Sequence, residues 1–247
     1  MPMTTTHART LDKPRSRLHA LIAATAAATV LAVASLPAQA VEPFTADYQA
    51  SYMGMQANGK MTLAPAGDDR WRYSLDISNS LASLSQSTVF DVAGETYRPL
   101  TQATVNKTIF TRKQTIGFYD WRSNAARWEG EVDEDHPGPI ALETGDMTGL
   151  LINLALIRDA EPGKTLHYRF VDDGRTRQHT YVVADEIESL SVGNLSYKAM
   201  KATRAKDANE ETVIWVARNV PTPIRILQRE NGEDTYDLRL VEYRGVD

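Results

Sequence analysis

The sequence predicts a mainly β protein: one antiparallel, strongly curved sheet forming an open or closed barrel, with one apolar helix packed on or in it. A two-sheet sandwich is the alternative. Three observations carry this expectation. Apolar and polar residues alternate along many short runs, which gives a strand one buried and one wetted face. Turn signals stand between those runs. A single segment breaks to helical spacing.

The elements follow in order. Phe44, Ala46, Tyr48, Ala50 and Tyr52 alternate with Thr45, Asp47, Gln49 and Ser51. Asn58-Gly59 and Pro65-Ala66-Gly67-Asp68 read as turns. Trp71, Tyr73, Leu75 and Ile77 share the apolar face of the next strand. Less regular strands are expected at Thr88–Val92, Leu100–Asn106, Thr111–Tyr119 and Arg127–Val132. Asp133–Pro139 reads as a loop feeding the helix, which spans Asp146–Asp159 with Asp146 as its cap and Pro162-Gly163 as its stop. Met147, Leu150, Leu151, Leu154 and Ile157 form one stripe of that helix, and Ile152 and Leu156 add a second. A helix apolar nearly all round must be buried on more than one side.

Leu166, Tyr168 and Phe170 then resume alternation, and Asp173-Gly174 turns the chain. Strands are expected at Gln178–Ala184, Leu195–Thr203, Thr212–Ala217 and Ile224–Arg229; Asn231-Gly232 leads into Tyr236, Leu238 and Leu240. About a dozen strands at this spacing fit a barrel or a sandwich. No linker or repeat divides residues 41–247, which read as a single domain.

Residues 1–40 differ from the rest. Arg9, Lys13, Arg15 and Arg17 precede an alanine-rich apolar stretch, Leu18 to Leu36, and Ala38-Gln39-Ala40 follows Pro37. A positive start, an apolar core and an A-x-A exit define a cleaved secretory signal peptide. The expected location is the periplasm, as a soluble chain with no integral membrane segment. With no cysteine, the chain has no acylation site at the cleavage point and no disulfides, thiolate metal sites or thiol nucleophiles.

Composition narrows the function. The formal charge of -5 argues against a nucleic-acid partner, whose phosphates require clustered Lys and Arg. No G-x-S-x-G, H-E-x-x-H, P-loop or G-x-G-x-x-G motif occurs. Beyond the leader only His136, His167 and His179 remain for a His-dependent hydrolase. Asp133, Glu134, Asp135 and His136 lack the ligand spacing that wraps calcium and read as a solvated loop. No metal or cofactor is expected.

Two surface features remain. Lys107, Arg112 and Lys113 form a basic patch suited to anionic lipid headgroups, although cations on strands more often prevent edge-to-edge pairing. Phe118, Trp121 and Trp128 cluster around Asp120 and Arg122, and aromatic rings of this kind line pockets for sugars or amphiphiles. Together with Leu150 and Leu154 of the helix, they are the candidate ligand-binding residues.

Several segments resemble one exported bacterial family, domain of unknown function 3108. They are Pro43-Phe44-Thr45-Ala46-Asp47-Tyr48, Tyr97-Arg98-Pro99, Phe118-Tyr119-Asp120-Trp121, the apolar helix, and Ile214-Trp215-Val216-Ala217 followed by Pro223-Ile224-Arg225-Ile226. The resemblance implies an exported, β-rich, single-domain protein and transfers no catalytic residue. A weaker architectural similarity links it to periplasmic lipoprotein-carrier half-barrels, which also hold a Trp strand, a Pro-containing turn and a return strand. The resulting expectation is a periplasmic protein that binds or carries an apolar or amphipathic envelope ligand. A structural or interaction protein of the envelope is the alternative, and a hydrolase with an unrecognised site comes third. Oligomeric state is not legible.

Overall fold

The computed structural model describes residues 41–52, 54–132, 138–206 and 209–245. The leader and the acidic residues Asp133, Glu134, Asp135 and His136 lie outside the described residues.

Alternation becomes strand after strand. The first meander contains β1 (Phe44–Tyr52), β2 (Met55–Pro65), β3 (Arg70–Ser78), β4 (Ala82–Ala93), β5 (Thr96–Thr108), β6 (Arg112–Asp120), β7 (Ala125–Gly130) and β8 (Ile140–Ala141). A short β9 (Asp146–Met147) leads into α1 (Gly149–Asp159). The second meander contains β10 (Thr165–Asp172), β11 (Arg175–Val192), β12 (Leu195–Ala205), β13 (Glu210–Ala217), β14 (Arg225–Glu230) and β15 (Glu233–Gly245).

The fifteen strands among the described residues belong to one sheet, in the order β8-β7-β6-β5-β4-β3-β2-β1-β15-β14-β13-β12-β11-β10-β9. First and last strands pair at its centre, Phe44 opposite Gly245 and Tyr52 opposite Tyr236. Every pairing is antiparallel except β9 with β10. The sheet is strongly curved and open. Its two end strands do not pair with each other. Instead the β10 end packs against β5 and β6: Tyr119 donates to the Val171 carbonyl at 2.8 Å, and Gln102 Nε2 donates to Asp172 at 3.2 Å.

Inside the curve lies α1, with every residue from Leu150 to Leu156 buried. It touches β3, β4 and β5 of one meander and β10 and β13 of the other. The doubly apolar helix is therefore an interior element, consistent with its lack of a polar face. Its N-cap is Thr148, which accepts from the Leu151 amide and is joined to the buried Thr88 hydroxyl at 2.9 Å. Asp146, the expected cap, is fully buried in β9 and held by Arg169 at 2.5 and 2.6 Å. Asp146 also accepts from the Glu143 amide at 2.8 Å, so its carboxylate is engaged ahead of the helix.

A second correction concerns Asn58-Gly59, which is not a turn but the middle of β2. Gly59 is required there by packing: a Cβ would stand 3.0 Å from Leu238 Cδ1 and 3.1 Å from Tyr48 Cβ. By contrast, Asp173-Gly174 and Asn231-Gly232 are hairpin turns, with both residues of each pair at positive φ. The strand β11 runs much further than the alternation suggests, because its register shifts between Val183 and Ile187, where acidic residues interrupt the pattern.

The core divides into a large cluster around α1 and a small one of Tyr119, Ala126, Trp128, Leu142 and Val171 between the overlapping ends of the sheet. Opposite, the I-W-x-A and P-x-R-I segments brace β13 to its neighbours. Trp215 donates to Glu188 at 2.8 Å, and Arg225 lies over the Trp215 ring while chelating Asp237 at 2.7 and 2.8 Å. Tyr48 reaches the same connection, donating to the Pro223 carbonyl at 2.7 Å.

Candidate functional site

Consecutive antiparallel strands place alternate turns at opposite ends of a sheet. The β1–β2, β3–β4, β5–β6, β10–β11, β12–β13 and β14–β15 turns consequently share one end. Between that end and the N-terminal half of α1 lies a cavity of about 650 Å³. Leu150, Ile152 and Asn153 line its inner limit, and Tyr52, Met55, Asn79 and Lys107 line its exposed rim.

Its walls are mixed. Leu75, Ile77, Ile214 and Ile226 supply aliphatic surface from both meanders. Polar side chains interrupt that surface: Gln102, Asp172, His179 and Arg204 all line the cavity. Gln102 Oε1, Asp172 Oδ1, His179 Nδ1 and Arg204 Nε are buried without a hydrogen-bond partner. Buried polar atoms are rarely left so, because each costs about 1–3 kcal/mol unsatisfied. These four atoms have almost no accessible surface, so they are packed behind the cavity wall rather than open to it.

Burial sets the charge states. It pushes the Asp172 carboxyl up to about 7, against a backbone hydrogen bond from Asp173 and contacts from Gln102 and Trp128 that favour the charged form. Burial, followed by the charges of Arg204 and Arg177, pushes His179 down to about 4, and its ring stacks on Phe170 at 4.6 Å between centroids. At neutral pH the cavity therefore holds a neutral imidazole, a partly protonated acid and an arginine whose Nη2 is held by Thr212 at 3.0 Å. His167 contacts only Thr180 on the exposed side, at 3.1 Å, so neither described histidine hydrogen-bonds a carboxylate.

The sequence-derived candidates separate. Leu150 lines the cavity, whereas Leu154 lies a turn deeper in the core. Trp128 is buried in the small cluster, edge-on to Tyr119 at 5.8 Å, one layer behind Gln102. Trp121 sits on the β6–β7 turn at the opposite end, its indole donating to the Pro99 carbonyl at 2.6 Å. Phe118 lies on the outer face under the Arg127 guanidinium, 5.0 Å away. Phe118, Trp121 and Trp128 thus occupy three environments, none on the cavity wall. Sequence reading missed Gln102, Asp172 and Arg204 and named His179 only as a possible catalytic histidine; their only signal was polar residues at inward positions of otherwise apolar strands.

This architecture defines a class: a β-barrel-like protein with an open, curved sheet, an internal helix and an interior cavity. Its sequence matches the profile of the family described as "Protein of unknown function (DUF3108)" over residues 47–239, and the chain belongs to that family. No curated protein matches the sequence. Among solved structures it is similar to a β-barrel-like protein of domain of unknown function 1849 from Brucella abortus. That likeness has 14% identity and a TM-score of 0.54, covering 84% of this chain and 99% of the other. A second similarity is to the MucA/MucB complex of Pseudomonas aeruginosa, with 10% identity and a TM-score of 0.34, covering 83% of this chain and 52% of that one. Among the described residues no helix is long and apolar enough to cross a membrane.

Proposed function

We propose that this protein is an exported periplasmic binding or carrier protein that holds an apolar or amphipathic molecule of the cell envelope. One observation carries the reading: a cavity of about 650 Å³ whose aliphatic walls are interrupted by the side chains of Gln102, Asp172, His179 and Arg204. That volume is in the range of small-molecule sites, roughly 300–1,000 Å³. The leader supports export, and the helix supports a fixed cavity floor. The aliphatic walls suit an acyl or terpenoid-like portion, and the polar side chains of Gln102, Asp172, His179 and Arg204 suit a hydrogen-bonding or weakly acidic head.

Native mass spectrometry of the purified protein tests this. The expected result is a complex with a retained or added fatty acid that organic extraction removes. Ala57→Trp, which fills the cavity from β2, should lose it. A protein that stays bare in the presence of excess fatty acid would sink the proposal.

A further inference from the structure

The cavity rim has a second property. Of the ten large apolar side chains exposed among the described residues, Tyr52, Met55, Leu81, Ile109 and Phe110 stand on the β1–β2, β3–β4 and β5–β6 turns, at the cavity end. Ile109 is 65% exposed and Phe110 is 91% exposed. Scattered exposed apolar residues are ordinary, but a contiguous rim of them marks an interaction surface.

Two of these turns, β3–β4 and β5–β6, are held by side-chain hydrogen bonds. Thr108 Oγ1 accepts from the Phe110 and Thr111 amides at 3.2 and 3.1 Å, and Asn79 Oδ1 accepts from the Leu81 and Ala82 amides at 2.9 Å. The β3–β4 and β5–β6 turns therefore satisfy part of their own backbone while holding Leu81, Ile109 and Phe110 out in water.

Charge identifies the partner. Lys107, Arg112 and Lys113 flank the Ile109-Phe110 tip, and none forms an ion pair with a described residue. Across the rim, Lys206 pairs with Glu210, and Arg229 pairs with Glu211 at 3.1 Å and Asp234 at 2.7 Å. An apolar tip flanked by three cations, beside two further apolar tips, matches a bilayer surface, where rings enter the interface and cations meet anionic headgroups.

We propose that the β1–β2, β3–β4 and β5–β6 tips dock the cavity mouth on an anionic membrane surface. Docking there sets the mouth against the lipid. It extends the carrier reading, but rests chiefly on Leu81, Ile109, Phe110, Arg112 and Lys113, none of which lines the cavity.

Vesicle sedimentation tests it with the purified protein. Vesicles of phosphatidylcholine with one quarter phosphatidylglycerol should bring the protein down, and pure phosphatidylcholine should bring down much less. Ile109→Ser with Phe110→Ser should lower partition at least about tenfold, and each of Lys107→Ser, Arg112→Ser and Lys113→Ser about fivefold. Because the chain has no cysteine, Phe110→Cys accepts a single polarity-sensitive dye. That dye should shift to the blue with anionic vesicles, whereas the same dye at Arg122→Cys, on the opposite end, should not. Ala57→Trp should still sediment, so loss of ligand binding and loss of docking are separable. Sedimentation unchanged by the double tip variant would overturn the proposal. So would tip-dependent dimerisation in ultracentrifugation without vesicle binding, which would assign the tips to a second copy of this chain.

Discussion

Asp172 and His179 line the same cavity and respond to pH in opposite senses. Asp172, with a carboxyl at about 7, keeps a proton in the folded state that the unfolded chain releases near pH 4. Its contribution to stability therefore falls as pH rises through that window. His179, at about 4, stays neutral in the fold while the unfolded imidazole takes a proton near pH 6.5, so its contribution falls as pH drops from about 6.5 to 4. Asp172→Asn should raise stability at pH 8 by about 1–3 kcal/mol, with the gain shrinking towards pH 4. His179→Phe should flatten the acid side relative to wild type; urea melts at pH 8, 6 and 4.5 measure both. Parallel pH profiles for wild type and both variants would show that neither group is desolvated as described. Gly59 makes a different residue-scale point. Gly59→Ala should cost about 1–3 kcal/mol, because the added carbon meets Leu238 and Tyr48 in two neighbouring strands. An unchanged melting temperature would contradict that packing.

At the scale of elements, the helix start is the joint between α1 and the sheet. Thr148 caps α1 and shares a hydroxyl–hydroxyl hydrogen bond with Thr88 of β4, both fully or almost fully buried. Thr148→Val should destabilise the protein by about 1–2 kcal/mol, through the lost cap and the orphaned Thr88 hydroxyl. The double variant with Thr88→Val should recover part of that loss, since it removes the orphan; denaturant unfolding decides, and strict additivity would contradict the coupling. The strands and α1 were legible because each buries one repeating face, and inward alternation survives in β1, β3 and β10. The cap was not, because Asp146 is an equally good cap by type and only the distant Arg169 removes it from contention. Asn58-Gly59 misled for a similar reason: glycine serves both a turn and a close approach, and sequence does not say which.

For the whole molecule, the curved sheet was readable but the cavity was not. Gln102, Asp172, His179 and Arg204 come from four different strands, β5, β10, β11 and β12, and no local motif joins them. Conspicuous aromatics drew attention to Trp121 and Trp128, which close a turn and fill the small core, respectively. The rim was half visible: the cations around Ile109-Phe110 stood out in sequence, but only the topology sets that tip beside the other two and the cavity mouth. Curvature, helix plug and mouth together make the central claim that the interior is a binding chamber. Fluorescence titration with cis-parinaric acid, a linear fatty acid that brightens in apolar surroundings, tests it most directly. Wild type should saturate at one equivalent, Ala57→Trp should bind at least about tenfold more weakly with its circular dichroism unchanged, and Phe118→Ala on the outer face should match wild type. No saturable signal, or equal binding by Ala57→Trp, would contradict the account.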